Sequence, residues 1–390
     1  MFAVFKKARK AIAQIAGLSA LALVAACQTV TVGGGPSINT SAPVPVALLV
    51  PRGGGNAGDD LLAQSLENAA RLAIADLEGV NIDLRVYDTA GDPGTAQAQA
   101  VSAVGDGAKI ILGPVYAASA NAVAVAVAPR GVNVLSFSNN STIAGGNLFI
   151  LGPTFHNTAD RLISYAAATG KGRIAIAHDN GIAGQLGGEA ARAAIRKNVG
   201  ASETAVVSYD LSQQGVITAI PDIRSAVGSG ADSVFLTGQT EDVIPLMTQL
   251  LSEAGVNPAE TQYIGLTRWD IPPQTLELPG VQGGWFAMPD PVLTQRFSSR
   301  YSAAYGTSPH PIGGLSYDGI AAIGALVKAG NRDALTAGAL TQGAGFQGVG
   351  GIFRLLSNGT NERGLAVAQV QEKRVVVIDA APRSFAGPGF

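Results

Sequence analysis

Val46-Ala47-Leu48-Leu49-Val50 is an unbroken apolar run, and Pro51-Arg52-Gly53-Gly54-Gly55 follows it at once. A short apolar run closed by proline and glycine fits a strand buried on both faces. The next segment changes period. Leu62, Leu66, Ala69, Ala73 and Leu77 recur at three- and four-residue steps, which is the spacing of one helix face. Asp59 and Asp60 stand where the N-cap of that helix is expected. Ile82 to Tyr87 returns to a strand pattern, closed by Asp88 and the turn Gly91-Asp92-Pro93. Strand, loop, helix and strand in this order predict a parallel sheet with crossover helices.

Working outward, the alternation continues. An alanine-rich helix is expected over 95–104, a strand over 109–112, a helix over 117–129 and a strand over 132–136. A second unit of the same kind starts near Pro153, with strands at 173–177, 204–209, 233–237 and 263–266. Its helices are expected at 156–169, 184–198, 217–227 and 240–254. Two further helices (292–305 and 316–329) precede strand-like stretches at 351–356, 365–370 and 374–378, with hairpin turns at Asn358-Gly359 and Glu372-Lys373. One open sheet with so many strands would be unusual. The expected fold class is therefore α/β, in two Rossmann-like lobes with parallel sheets.

Apolar residues make up 47% of the 390 residues and charged residues 14%, so sizeable cores are available. The net charge is −2 and no basic tract follows Lys10, which leaves nucleic acid without an electrostatic footprint. Lys6, Lys7, Arg9 and Lys10 precede a short apolar run from Ala11 to Ala26, the pattern of a signal peptide over residues 1–26. Its end, Leu23-Val24-Ala25-Ala26-Cys27, resembles a bacterial lipobox. That resemblance implies diacylation of Cys27, the only cysteine, and Gln28 after it implies anchoring to the outer membrane from the periplasmic side. With one cysteine there is no intrachain disulfide. Residues 27–43 read as a flexible tether.

Three candidate chemistries lack their full residue signatures. The triple glycine Gly53 to Gly55 lacks the lysine and hydroxyl of a phosphate-binding loop. The three histidines, His156, His178 and His310, have no metal-ligand spacing, and no G-x-S-x-G elbow carries a nucleophile. No cofactor, metal or catalytic residue is expected, and the chain reads as a non-enzyme. What remains is a set of polar loops after strands: 113–117, 136–141, 178–180 and 237–241. The carboxyl ends of strands face the ligand crevice in a doubly wound sheet. Taken singly, Ser, Asn and Thr there serve as helix caps.

The order of these loops resembles the type I periplasmic solute-binding proteins, specifically the leucine/isoleucine/valine-binding group. The matching stretches are Val46 to Pro51, Asp88 to Pro93, Ile110 to Pro114, Ala128-Pro129, Gly131 to Ser136 and Phe235 to Gly238. The resemblance implies a clamshell crossed three times, near 151–155, 288–292 and 346–353. It implies residues 44–153 with 290–346 in the first lobe and 154–289 with 347–390 in the second. Ligand contacts carried over are Tyr116, Ala117, Ser136, Ser138, Asn139 and Asn140 from the first lobe. From the second come Asp179, Gln239 and Glu241, with Arg268 and Trp269 just past a strand end. Ala183 stands where the family has an aromatic cover before Gly184-Gln185.

The implied function is binding of a small polar solute, such as an amino acid, for an ABC permease. The stretch from Gly351 to Phe385 also resembles penicillin-binding protein activators, lipoproteins that stimulate a cell-wall synthase by protein contact. Both readings stay open on the sequence.

Overall fold

The structure is a computed structural model and describes residues 35–386. The signal peptide, Cys27 and the tether to residue 34 lie outside those residues. The first sheet holds β1 (Val44–Val50), β2 (Ile82–Asp88), β3 (Ile110–Leu112), β4 (Asn133–Ser136) and β5 (Leu148–Ile150) in the order β2-β1-β3-β4-β5, all parallel. β1 shows why a run without polar positions belongs here. Val46, Leu48 and Val50 enter one core, and Ala47 and Leu49 enter the core on the opposite face. Helix α1 (Ala57–Ala75) covers the first face with Leu62 and Leu66. Helices α2 (Pro93–Gly105) and α3 (Ala117–Val127) cover the other through Ala96, Ala100, Ala120 and Val123. The α1 N-cap is Asn56, whose side chain accepts from the Gly58 N–H. Asp59 and Asp60 occupy the first turn instead, where a carboxylate complements the helix dipole.

The second sheet repeats the plan. β6 (Arg173–Asp179), β7 (Ser202–Tyr209), β8 (Ser233–Leu236), β9 (Gln262–Gly265) and β10 (Trp285–Met288) run parallel in the order β7-β6-β8-β9-β10. Helices α4 (Phe155–Ala168), α5 (Ile182–Lys197), α6 (Gln213–Gly228) and α7 (Ile244–Glu253) intervene between these strands and at their start. The chain then gives α8 (Pro291–Tyr305) and α9 (Gly314–Lys328). Ile320 and Ile323 of α9 pack in the first lobe's core beside Leu62 and Leu66.

A separate three-stranded antiparallel sheet follows: β11 (Phe346–Gly348), β12 (Gly351–Leu355) and β13 (Asn361–Arg363). The last strands, β14 (Ala366–Gln371) and β15 (Arg374–Asp379), extend the second sheet antiparallel beside β10. Phe353 and Leu355 sit in the first lobe's core, so 347–363 differs from the expected assignment of everything after 346 to the second lobe. The N-terminal end differs too. Ile38 is buried in that same core and its N–H donates to Arg332 O at 2.9 Å, because an apolar side chain beside an open core gains by entering it.

The two lobes are thus joined by three crossings, and these are tied to one another. Asn361 donates through Nδ2 to Ile150 O (2.8 Å) and Gly152 O (2.9 Å), linking the third crossing to the first. Asp290 N–H donates to Gly350 O at 2.8 Å, tying the second crossing to the β11–β12 turn. Thr154 caps α4 at the first crossing in a reciprocal capping box with Asn157. Thr154→Ala is expected to lower the unfolding free energy by about 1 kcal/mol in chemical denaturation; an unchanged midpoint would mean the cap carries nothing.

Candidate functional site

The expected loops come together lobe by lobe. At the first sheet's strand ends, Gly113 N–H donates to Leu135 O, and Ser136 Oγ donates to Pro114 O at 2.9 Å. Gly113 has φ +83, and a Cβ there would lie 2.3 Å from Leu49 O, so only glycine lets the loop pass so close to β1. The serines face inward. Ser136 Oγ also accepts from Ser138 N–H, Ser138 Oγ accepts from Asn140 N–H, and both residues are buried. Asn140 caps a short helical turn by accepting from Thr142 N–H, while Asn139 is exposed. Tyr116 donates its hydroxyl to Asp59 at the first turn of α1, and Ala117 opens α3. Hydrogen bonding to that carboxylate raises the Tyr116 pKa above its ordinary value. The triple-glycine loop meets acid as well: Gly53 N–H donates to Asp60 Oδ1 at 3.1 Å.

The second sheet gathers its own loops. Asn180 N–H donates to Tyr209 O, Thr267 Oγ1 to Gly238 O at 3.2 Å, and Thr240 Oγ1 to Ile271 O at 2.6 Å. Asp179 is buried and accepts from Gly181 N–H at 2.8 Å. A Cβ on Gly184 would strike the Asp179 carboxylate at 2.4 Å. Burial, followed by the nearby Asp179 charge, pushes the Tyr209 phenol well above its usual range. Ala183, Gln239 and Glu241 are exposed. Trp269 is a correction: it is fully buried in the second lobe's core, packed over Gly265 and Gly284, and is no cleft residue. A large apolar ring next to two glycines goes where it loses the most water contact.

Arg268 is the expected residue that reaches a cavity spanning the lobes. This space of about 320 Å³ is walled by Arg268 and Ile271 from the second lobe and by the start of α8 and α9 from the first. The crossings complete it with Pro153, Pro289 and Arg363. Its exposed wall is predominantly apolar, with Phe297, Ile312, Leu315, Ile352 and Leu365. The polar groups are few and held. Arg268 is gripped by Asp270 through Nε (2.9 Å) and Nη2 (2.5 Å). Asp318 accepts from Val349 N–H at 2.8 Å and from Arg363 Nη1 at 3.2 Å, and Arg363 Nη2 donates to Leu151 O. Gly348 permits this, since a Cβ there would lie 2.5 Å from Asp318 Oδ1. Burial pushes the Asp318 carboxyl up, opposed by Arg363 and the Val349 N–H. His310, between Pro309 and Pro311, donates its backbone N–H to Ser65 Oγ at 2.8 Å, and burial lowers its imidazole pKa.

Thr294, His310, Asp318 and Arg363 line the cavity but lie off the strand-end loops that the sequence singles out. One signal was present: Asp318 is the lone carboxylate in a mostly apolar, glycine- and alanine-rich helix. Among the described residues, no group of three or more His, Cys, Asp and Glu side chains is placed to hold a metal ion. No described helix is long and apolar enough to cross a membrane.

The family model for periplasmic binding proteins matches residues 43–374. The chain belongs to the periplasmic binding protein family. Solved structures agree in fold. One described as a branched-chain amino acid ABC transporter from Rhodospirillum rubrum superimposes with TM-score 0.73 at 20% identity, covering 86% of this chain and 100% of that one. A leucine-, isoleucine-, valine-, threonine- and alanine-binding protein from Brucella ovis, in its closed conformation, gives 0.65 at 17%, covering 89% and 96%. A leucine-binding protein from Thermotoga maritima gives 0.56 at 17%, covering 87% and 98%. A search among curated proteins finds no match.

Proposed function

We propose that this chain is a non-catalytic solute receptor of the cell envelope, tethered through Cys27 and acting as the substrate-binding component of ABC-type uptake. The observation that supports it is the interlobe cavity. A concave, mainly apolar space with a few convergent polar groups is the usual form of a small-molecule site. Its walls come from both lobes and all three crossings, so a ligand held there touches both halves and favours the conformation in which they meet.

A second reading is favoured by a separate observation. Of the expected contacts, the Ser136 hydroxyl donates to Pro114 O, Ser138 Oγ accepts from Asn140 N–H, and Ala183 offers no aromatic cover. A protein whose strand-end loops bond internally suits a contact partner such as a cell-wall synthase.

A thermal-shift screen with amino acids, organic acids and sugars separates the two. A receptor gains stability by mass action, about 2.7 kcal/mol at a hundredfold excess over Kd. A flat response across the whole panel, with retention of a cell-wall synthase in pull-down, would replace the receptor reading with the activator one.

A further inference from the structure

We infer that residues 380–385 form a fourth link between the lobes, a strap held at both ends that limits how far the lobes rotate.

The root of the strap belongs to the second lobe. β15 ends at Asp379, whose Oδ2 accepts from Arg161 Nη2 at 2.6 Å, and Ala380 O accepts from the same nitrogen at 3.4 Å. Arg161, on α4, is buried, and its Nε donates to Leu365 O at 2.7 Å. One side chain thus holds both the root and the exit of the third crossing. Ala381 then packs into the second lobe's core.

The tip lies on the first lobe. The Phe385 ring stands over Arg354, with its centre 4.5 Å from Cζ. Arg354 is itself held: Nε donates to Glu362 Oε2 at 2.6 Å and Nη1 to Gly343 O at 3.2 Å. Its neighbours on β12, Phe353 and Leu355, are buried in the first lobe's core. Gly345, beside Phe346 of that core, forms the floor. A Cβ there would lie 2.6 Å from Phe385 Cε2, and φ is +67, so glycine alone leaves the ring its place. The guanidinium face attracts the ring and the bare Cα admits it, which together make a socket.

Between root and tip the strap runs against the third crossing. A Cβ on Gly364 would lie 2.9 Å from Pro382 O and 3.4 Å from Pro382 Cγ. The four steps from Ala381 to Phe385 reach about 14 Å at full extension. So short a segment has little slack, and a rotation that carries the socket away from the second lobe must draw the ring out of it. Phe385 is half-buried, and Arg383 and Ser384 are exposed, so the tip can leave without opening a core. The tip is therefore the releasable end.

Hydrogen–deuterium exchange by mass spectrometry on the full chain tests this in wild type, Phe385→Ala and Phe385→Tyr. In Phe385→Ala, peptides covering 361–366 are expected to exchange about three- to tenfold faster, the factor set by one ring–guanidinium contact. Peptides from β1 and β8, in the two lobe cores, keep their rates. Phe385→Tyr retains the ring and is expected to match wild type. Small-angle X-ray scattering reads the lobe angle, and the radius of gyration of Phe385→Ala is expected to differ from that of the other two. Unchanged exchange at 361–366 in Phe385→Ala would overturn the strap. Equal acceleration in both cores would overturn it as well, since Phe385 would then be an ordinary stabilising contact. Faster exchange at 361–366 with identical scattering would leave only a local cover over Gly364 and overturn the restraint on rotation.

Discussion

Asp318→Ala is expected to lower the unfolding free energy by about 3–5 kcal/mol, measured by urea denaturation, because it strands the Arg363 guanidinium in the interior without its counter-charge. Side-chain exposure is 2% for Asp318 and 10% for Arg363, so water cannot take the partner's place. The same substitution leaves the Val349 N–H of the β11–β12 turn without its acceptor. A loss below about 1 kcal/mol would show that the pair is dispensable to the hinge. The pH dependence follows from the raised Asp318 pKa. A folded pKa above the unfolded one means that the folded chain holds this proton more tightly. The contribution is therefore fully present below the ordinary carboxylate range and is lost as pH rises through the raised value. Asp318→Asn should remove that slope, and a stability profile with the same slope in wild type and variant would contradict it.

Trp269→Ala is expected to cost about 3–5 kcal/mol, the range for truncating a buried aromatic side chain. The ring is fully buried in the core that includes Leu236, Tyr263 and Phe286, over two glycines that leave it room. The second expectation distinguishes core from site. If Trp269 packs as described, ligand affinity per folded molecule is unchanged in Trp269→Phe, a milder variant that keeps most of the volume. A tenfold loss of affinity in a stably folded Trp269→Phe would return the residue to the cleft, where the sequence reading had put it.

The two residues side by side, Arg268 and Trp269, show where sequence reasoning stops. Both follow a strand end, and position alone gave them the same role. Arg268 lines the interlobe cavity, and Trp269 turns into the core. Which way each side chain points depends on the glycines at 265 and 284 and on the space they leave, and chain position contains neither. Ser136 and Ser138 make the same point differently. Their placement at the end of β4 was legible, yet their hydroxyls bond within the loop. Ile38 falls inside the expected tether, yet it is one apolar residue in a polar stretch and the core beside it takes it in.

The sequence by itself determined the two-lobed parallel architecture. Helix and strand periods are local properties, and β1 carries in its own five apolar residues the fact that both of its faces are covered. Only the tertiary structure decided the cavity and its lock. Arg363 meets Asp318 from 45 residues away and Leu151 from 212. Thr294, His310 and Arg268 arrive on three further segments. Such contacts follow from how the crossings fold against one another, and no local pattern in the chain encodes that arrangement.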